Sequence, residues 1–347
     1  MPVGTAEAVA HSASAQRRVR ASLTVGVKIR RDRLGLRALC RLSCSGDHGI
    51  MSNQITVGYD GSGSSSEAVK WAAHEATVRS TRLRIVSCYE IVFLADEMDG
   101  WPTIDSVTSP MAAVESSLTG IRQFIATAYP GLVITTEASA GPASIALLDG
   151  VESDDLVVVG ASSHEGAAAF WLGNTPRHVV RHSPCPVVVV RGVTGRGRPV
   201  RIVVGVDGSV ASDRALRWAA DEADRNQVVL DVVHGWWYEY LAYDTCSSQA
   251  RDLTEIDAAC VLDHAVESAR EFCGAEVIGH LVEASPASAL VDSVGDGDLL
   301  VLGSRGRGAV KSGLFGSTVN SVLERCVAPV VVVPALQVGE DPDIRFP

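Results

Sequence analysis

The sequence lacks the features that would point to a membrane, to nucleic acid or to an exported protein. No apolar run approaches the ~18–20 residues that a helix needs to cross a bilayer, so we expect no membrane insertion. The net charge of −11 disfavours general binding to nucleic acid or to anionic membranes. A secretory signal, with an apolar segment behind a short basic head, is also missing, and we therefore expect a cytoplasmic protein.

Cysteine pairs of the Cys-x-x-Cys type are absent, although the chain contains eight cysteines. They are scattered, and only Cys40 and Cys44 lie close together. There is no Cys/His cluster with the spacing of a zinc finger. These patterns favour reduced thiols over disulfides or a bound metal, and we predict no metal ligands.

The composition otherwise suits a soluble globular protein, with 46% hydrophobic and 20% charged residues, and 347 residues are enough for two domains. Residues 1–50 differ from the rest, because they hold nine Lys/Arg and only three Asp/Glu. We interpret them as a disordered basic extension, with a nucleic-acid-binding arm as the alternative. Because Met51 runs directly into a predicted strand, a natural start at Met51 is our expectation.

Residues 51–192 are predicted to alternate strands with helices, and residues 200–334 repeat the same pattern. Asp60 corresponds to Asp207 at an offset of 147 residues, and Gly160 corresponds to Gly303 at an offset of 143. The sequence thus indicates two tandem domains that arose by duplication of a whole domain. Residues 193–199, which are basic and rich in glycine, form a predicted linker, and residues 335–347 a predicted disordered tail.

Near-continuous apolar strands that alternate with helices predict parallel sheets covered by helices on both faces. Five strands in each domain fit an α/β, Rossmann-like, doubly wound sheet with the strand order 3-2-1-4-5. In such sheets a ligand binds where the first and fourth strands end side by side. The fold would then bring Asp207 and Gly303 together, although they are far apart in the sequence.

A glycine-rich segment, the second loop (residues 303–318), lies between a predicted strand and a predicted helix. Glycines let a backbone approach a phosphate closely, and a helix N-terminus adds free N–H groups and a favourable dipole. The segment is not a standard P-loop, because Val310 precedes Lys311-Ser312 and Arg305 stands where the first glycine should be. The dinucleotide fingerprint Gly-x-Gly-x-x-Gly after the first strand is absent too.

A different pattern does fit this part of the chain. The spacing of Gly303, Gly306 and Gly316-Ser317 resembles that of the ATP-binding universal stress protein family. The segment Ile202–Ser209 resembles the family's first strand and turn, and Pro329–Val333 resembles its last strand. The resemblance implies a tandem-domain protein of the kind found in actinobacteria, with a fold like that of the adenine nucleotide alpha hydrolases. It also implies that the protein binds ATP, either alone or together with Mg²⁺.

In the second domain the resemblance implies roles for both the first strand and the second loop. Asp207 would contact the ribose or adenine, or help to hold a cation. The alternative is an ordinary turn residue, because Asp-Gly-Ser is common turn chemistry. Gly235 is predicted to follow the second strand and to offer backbone groups to adenine. The complete predicted set is Gly205, Val206, Asp207, Gly235, Gly303, Ser304, Arg305, Gly306, Arg307, Gly308, Ala309, Gly313, Gly316, Ser317 and Thr318.

The first domain departs from this pattern in its own loop, the first loop (residues 160–175). Ser163 replaces the second glycine of the motif, and Asn174 replaces the serine. A side chain at position 163 would push the loop away from phosphates if that position needs a positive φ. We predict a nucleotide here too, with weaker affinity. The predicted residues are Gly58, Asp60, Gly160, Ala161, Ser162, Ser163, Gly173, Asn174 and Thr175.

No Ser-His-Asp order and no water-positioning group stands out, so we predict no catalytic residues and a protein that is not an enzyme, with slow ATP hydrolysis left open. The function implied by the resemblance is nucleotide-dependent regulation of a stress or dormancy response. A slow ATPase or nucleotidyl transferase and a nucleotide-free protein-binding scaffold remain alternatives. The apolar strands Val187–Val190 and Val330–Val333 are predicted sheet edges, which pair across a homodimer or within one chain. An unidentified protein partner is also expected.

Overall fold

Short runs of branched aliphatic residues form the strands of the fold, and the amphipathic segments between them form helices. The computed structural model describes residues 54–90, 104–161, 172–192, 198–237, 247–306 and 316–335. The strands are β1 (Gln54–Gly58), β2 (Arg82–Tyr89), β3 (Ile134–Ala140), β4 (Leu156–Gly160), β5 (Val187–Val190), β6 (Ile202–Gly205), β7 (Leu230–Trp236), β8 (Val277–Glu283), β9 (Leu299–Gly303) and β10 (Val330–Val333). The helices are α1 (Gly63–Val78), α2 (Ile104–Ala128), α3 (Ala143–Leu148), α4 (Asn174–His182), α5 (Val210–Asn226), α6 (Ser247–Phe272), α7 (Pro286–Asp292) and α8 (Ser317–Arg325).

Several predicted features lie outside the described residues. These are the basic extension of residues 1–50, most of the linker, the tail beyond residue 335 and parts of both loops, residues 162–171 and 307–315.

The sheet has the strand order β3-β2-β1-β4-β5-β10-β9-β6-β7-β8. Within each half, neighbouring strands are parallel, and the order within a half is the predicted 3-2-1-4-5. The two halves do not form separate sheets, however. Strand β5 pairs with β10 in antiparallel register, with Val188 opposite Val331, so the chain builds one continuous ten-stranded sheet. Of the two predicted pairings for these valine strands, the structure therefore has the one within a single chain.

The antiparallel seam between β5 and β10 sets the direction of both halves. Because the strands of each half run parallel to one another, the two halves run in opposite directions across the seam. The carboxyl ends of β1 and β4 consequently lie at one edge of the sheet, and those of β6 and β9 lie at the opposite edge. Ligand sites at strand ends would therefore face opposite sides of the molecule.

Helices cover both faces of the sheet and share its core. One apolar cluster packs α1, α2, α5 and α6 against one face through residues such as Ala68, Ile125 and Ala215. The other packs α3, α4, α7 and α8 against the opposite face through residues such as Val179 and Leu323. Both clusters extend across the seam, and strands such as β5 and β10 are buried throughout. This continuity explains the near-continuous apolar strands in the sequence.

A buried ionic cluster joins α1 and α5 across the seam. Glu75 and Glu222 occupy equivalent positions in the two halves and are only 2% and 1% exposed. Arg79 bonds to both: its Nη2 lies 2.7 Å from Oε2 of Glu222, and its Nε contacts Oε1 of Glu75. Asn226 donates from Nδ2 to Oε1 of Glu222 at 2.6 Å, and Arg225 also contacts that carboxylate. We call these five residues the seam cluster.

Helix α2 begins earlier than the sequence predicts. The sequence predicts a helix from Met111, after an irregular stretch that ends at Pro110. The helix starts at Ile104 instead, so Pro110 lies inside it. A proline inside a helix loses one backbone hydrogen bond. Buried residues further along α2, among them Leu118 and Ile125, anchor the helix on the sheet, so tertiary packing offsets the local cost of the proline.

Candidate functional site

A cleft of about 220 Å³ opens where β1 and β4 end in the first half. Six of the predicted residues line it, although they come from three separate parts of the chain. They are Gly58, Asp60, Gly160, Gly173, Asn174 and Thr175. Ala161 is buried at the end of β4, whereas Ser162 and Ser163 lie outside the described residues. The structure thus brings the described members of the predicted first site together.

The Asp-Gly-Ser turn after the first strand has the same geometry in both halves. Oδ1 of Asp60 accepts a hydrogen bond from the N–H of Ser62 at 2.9 Å, and Oδ1 of Asp207 accepts one from Ser209 at 3.0 Å. The glycine between them has a positive φ, 82° at Gly61 and 70° in the second half, which side chains disfavour. The turn therefore holds each aspartate at the end of its strand.

The serine of each turn then begins the following helix. Ser62 caps α1 by accepting from the N–H of Ser65 at 3.1 Å, and Ser209 caps α5 by accepting from Ser212 at 3.2 Å. Burial opposes ionisation of Asp60, but hydrogen bonds from Ser62 and Ser65 hold its pKa below the ordinary value. The first cleft accordingly carries a negative charge near neutral pH.

Glycines end the two central strands because the next helix passes too close for a side chain. A Cβ on Gly160 would lie 2.7 Å from the carbonyl oxygen of Ser64, and one on Gly303 would lie 2.6 Å from that of Ala211. Real Cβ atoms do not approach a backbone oxygen this closely. These contacts fix β4 and β9 against the first turns of α1 and α5, and so place the loop that follows each strand.

In the second half, the loop closes against the aspartate of the turn. A Cβ on Gly306 would overlap Oδ2 of Asp207, so the loop backbone lies directly beside the carboxylate. Gly306 does not have a positive φ, so the condition stated above for Ser163 is not met at the equivalent position of the second half. What Gly306 provides there is a close approach of the loop to Asp207. Ser163 stands at the equivalent position in the first half.

Two of the predicted phosphate contacts are already used by the sheet. The backbone N–H of Ala161 donates to the carbonyl of Val190 at 2.9 Å, and that of Ser304 donates to Val333 at 2.8 Å. The hydroxyl of Ser304 also accepts from the N–H of Ala335. These two N–H groups extend the sheet rather than point to a ligand. Arg305 is exposed, whereas Arg307, Gly308, Ala309 and Gly313 lie outside the described residues.

The helices that follow the loops both begin after a glycine. Gly173 precedes α4 and Gly316 precedes α8, and neither cap residue makes a side-chain hydrogen bond to its helix. The first N–H groups of a helix have no partner within the helix, so these ends offer hydrogen-bond donors to a ligand. Ser317 and Thr318 are the first two residues of α8, as the sequence predicts, and Asn174 and Thr175 are the first two of α4.

The remaining predicted residues of the second half belong to the strands. Gly205 ends β6, where a Cβ would lie 2.9 Å from methyl groups of Leu290 and Leu302, and Val206 is buried. The sequence predicts that Gly235 follows the second strand. In the structure Gly235 lies inside that strand, β7. A Cβ there would lie 2.9 Å from atoms of Pro286 and Ala289. Packing against α7 therefore explains this glycine.

A second cleft, of about 460 Å³, adjoins the first beyond the end of β2. The two share Cys88 and Thr175, and the larger is also lined by Glu90, Ser144 and His178. Sequence reasoning selected Thr175 but missed the other four, Cys88, Glu90, Ser144 and His178. The duplication could have found Cys88, because the offset of 147 aligns it with Gly235. Where the second half has no side chain, the first half has a half-buried thiol.

The described residues show few other reactive groupings. Among them, no three His, Cys, Asp or Glu side chains lie together as a metal ion would require, and no helix is long and apolar enough to cross a membrane. The five described cysteines are free thiols. Two of them, Cys185 and Cys326, are buried, and burial raises the pKa of Cys185 to about 12.

Curated relatives match most of the chain. A universal stress protein of Mycolicibacterium smegmatis is 27% identical over 289 residues, which cover 80% of this chain and 96% of that protein. A universal stress protein of Mycobacterium tuberculosis is 28% identical over 300 residues, which cover 82% of this chain and 97% of that protein. Similarity at this level extends over both halves.

The fold and the family agree with these relatives. The crystal structure of a universal stress protein from Archaeoglobus fulgidus aligns with a TM-score of 0.60 at 20% identity, covering 82% of this chain and 99% of that one. The sequence profile of the Universal stress protein family matches twice, over residues 51–191 and over residues 200–334. The chain therefore belongs to the universal stress protein family and carries two copies of the family's domain in tandem.

Proposed function

We propose that the protein binds ATP in its second half and that its nucleotide state regulates a stress or dormancy response in the cytoplasm. The observation that carries this proposal is the position of Gly306, whose backbone lies against Asp207 where β6 and β9 end. Loop, turn and strand ends meet there at the point where ligands bind in doubly wound sheets. The uncapped start of α8 supports an anionic ligand at the same edge.

Charge in the second loop supports a triphosphate. The loop carries Arg305, Arg307 and Lys311 and no acidic residue. Guanidinium and ammonium groups are the usual partners of phosphate oxygens. In the proposal, Asp207 contacts the ribose or base, or helps to hold Mg²⁺ beside the phosphates.

The proposal includes little or no hydrolysis. A phosphate-binding loop accelerates phosphoryl transfer only when another group orients the attacking nucleophile. A slow ATPase or nucleotidyl transferase is the rival that steady turnover of ATP by the pure protein would favour. A nucleotide-free scaffold for a protein partner is the second rival, and folded protein that ignores ATP would favour it.

Isothermal titration calorimetry with Mg-ATP tests the site on the wild type, Asp207→Ala and Gly306→Ala. A methyl group at position 306 would press against Oδ2 of Asp207 and shift this carboxylate oxygen from its place beside the loop. We expect both variants to lose at least roughly tenfold in affinity, since a charge-assisted contact contributes ~1.5–3 kcal/mol.

Asp213→Ala is the matched control, because Asp213 is an exposed aspartate in the first turn of α5. It should bind ATP as the wild type does. Equal affinity in all four proteins, with each shown to be folded by its thermal melting curve, would rule out the second half as the ATP site.

The proposal also covers domain limits and assembly. We propose domains at residues 51–192 and 200–334, and a homodimer, which light scattering of the full chain tests. Because β5 and β10 pair with each other within the chain, such a dimer must use a surface other than the valine strands.

A further inference from the structure

The two loops of the protein differ sharply in charge. Between Gly303 and Thr318 the sequence holds three basic residues and no acidic one, whereas between Gly160 and Pro176 it holds Glu165 and no Lys or Arg. The duplication gives both loops the same place in the domain. The difference in charge between the two loops therefore bears on which ligand each half binds, and not on the fold of each half.

The described residues that line the first cleft and the adjoining second cleft also carry negative and not positive charge. Two carboxylates line the joined clefts, Asp60 and Glu90, and the described lining residues include no Lys or Arg. The nearest basic residue along α4, Arg177, is engaged elsewhere. Its Nε donates to the carbonyl of Leu172 at 3.1 Å, and its Nη2 donates to Oε1 of Glu324 at 2.9 Å.

Several other lining groups are hydroxyls, an amide and apolar side chains, which suit a ligand with hydroxyl groups and an apolar ring. Hydroxyls and an amide come from Ser64, Ser144, Thr175 and Asn174, and apolar surface comes from Val86, Leu147 and Pro176. The carboxylate of Asp60, whose Oδ1 already accepts from Ser62, can accept further hydrogen bonds from sugar hydroxyls. The larger cleft falls in the size range of ~300–1,000 Å³ that is typical of small-molecule sites.

We propose that the first cleft takes an uncharged purine nucleoside and not a nucleoside triphosphate. A triphosphate would bring several negative charges to Asp60 and Glu90 without a Lys or Arg among the described lining residues, and like charges disfavour binding. This inference rests on the proposed function only in the choice of an adenine nucleoside as the ligand class.

The test is calorimetry of the full chain with adenosine and, separately, with Mg-ATP. The proteins are the wild type, Asp60→Asn and Asp207→Asn, each checked for folding by its melting curve. We expect Asp207→Asn to keep one adenosine-binding site per chain and to lose the binding of ATP. We expect Asp60→Asn to keep the ATP site and to lose at least tenfold in affinity at that adenosine site.

A fourth protein, Glu90→Lys, tests the charge argument directly, because Glu90 is exposed at the edge of the larger cleft. It should gain affinity for ATP in the first half severalfold, and this gain should exceed any change in its affinity for uncharged adenosine. Unchanged ATP affinity in Glu90→Lys would contradict the charge argument.

The outcomes separate this inference from the proposed function. ATP binding at an Asp60-dependent site as tightly as adenosine would overturn the inference and leave the ATP site of the second half intact. Adenosine binding without any ATP binding would overturn the proposed function and leave the inference. Folded protein that binds no adenosine at the Asp60-dependent site would overturn the inference.

Discussion

Gly160 and Gly303 allow two central strands to lie in close contact with the helices α1 and α5. Each ends a central strand at a point where the backbone of the next helix leaves no room for a Cβ atom. The neighbour in each case is a carbonyl oxygen of the first turn of the helix, which cannot rotate away as a side chain could. A residue with a side chain would have to push the strand and the helix apart.

We predict that Gly303→Ala lowers the free energy of unfolding by about 1–3 kcal/mol, the usual cost of overpacking. The added methyl group would meet the carbonyl of Ala211. Urea unfolding followed by circular dichroism measures the change.

Gly120→Ala provides the matched control, because Gly120 is an exposed residue inside α2 with nothing near its Cβ position. It should raise stability by roughly 0.5–1 kcal/mol, the difference in helix propensity between alanine and glycine. Equal stability of Gly303→Ala and the wild type would show that β9 and α5 can separate without cost.

Single residues also mark the limit of the sequence analysis at the site. The Asp-Gly-Ser turns and the glycine spacing were sufficient to select Asp60, Asp207 and both loops. The reason for the glycine at 306 was not predictable, because it depends on the distance to Asp207, which is about 100 residues away in sequence and adjacent only in the fold. Gly235 was misplaced for a similar reason, since its neighbours on α7 become visible only in three dimensions.

At the scale of elements, α1 and α5 meet across the seam through buried charge. Burial and the neighbouring Glu75 oppose ionisation of Glu222 more strongly than Arg79, Arg225 and Asn226 favour it, and they raise the pKa of Glu222 to about 7. Burial works against the charge of Arg79 too, but the two glutamates outweigh it and raise the pKa of Arg79. Arg79 therefore stays charged while Glu222 titrates near neutrality.

This titration predicts a dependence of stability on pH. A carboxyl group whose pKa is raised on folding stabilises the folded state fully below its unfolded pKa, and this contribution disappears as the pH rises through the folded value. For Glu222 the window runs from its ordinary value of 4.5 to about 7. The contribution of this group to the free energy of unfolding should fall over that range by at most roughly 3 kcal/mol.

Urea unfolding of the wild type and of Glu222→Gln at about pH 5 and about pH 8 measures this effect. The wild type should lose stability towards the higher pH, and Glu222→Gln should lose less. Glu324→Gln is the control, since Glu324 pairs with Arg177 on the other face of the sheet and its side chain is only half-buried. The same pH dependence in Glu222→Gln and the wild type would contradict the prediction.

The elements themselves were largely predictable. Short apolar runs such as β4, β5, β9 and β10 between turn residues indicate buried strands, and the repeat indicates the same order of elements in the second half. The start of α2 was missed because Pro110 suggests the end of a helix, whereas packing on the sheet outweighs this local preference.

At the scale of the whole molecule, the sheet continues through the seam. Strand β5 has a parallel neighbour on one side and an antiparallel one on the other, so its backbone groups are paired on both sides. The sequence predicts two valine strands at sheet edges, but it does not predict the strand with which each one pairs. The reason is that both strands have the sequence Val-Val-Val-Val, which can form the same hydrogen bonds with a second chain and with the other half.

We predict that the first half, residues 51–199, forms a dimer when it is produced alone. Without β10, the unpaired edge of β5 would present valines and free backbone groups, and a second copy of the same strand can pair with it. Light scattering after gel filtration measures the mass.

Val189→Pro in the same half is the control, because the backbone of Val189 faces β10 and a proline there removes an N–H that an edge strand needs for pairing. It should give a monomer that keeps its far-ultraviolet circular dichroism. A monomeric, folded wild-type half would show that the edge alone does not drive association.

Joining both halves in one chain also changes what evolution can do with the sites. In a symmetric dimer of identical chains, every substitution appears in both sites at once. Here the seam of β5 and β10 holds the same geometry inside a single gene product, so Ser163 and Gly306 are free to differ. One polypeptide can therefore carry two unequal receptors at a fixed one-to-one ratio, on opposite sides of a shared core.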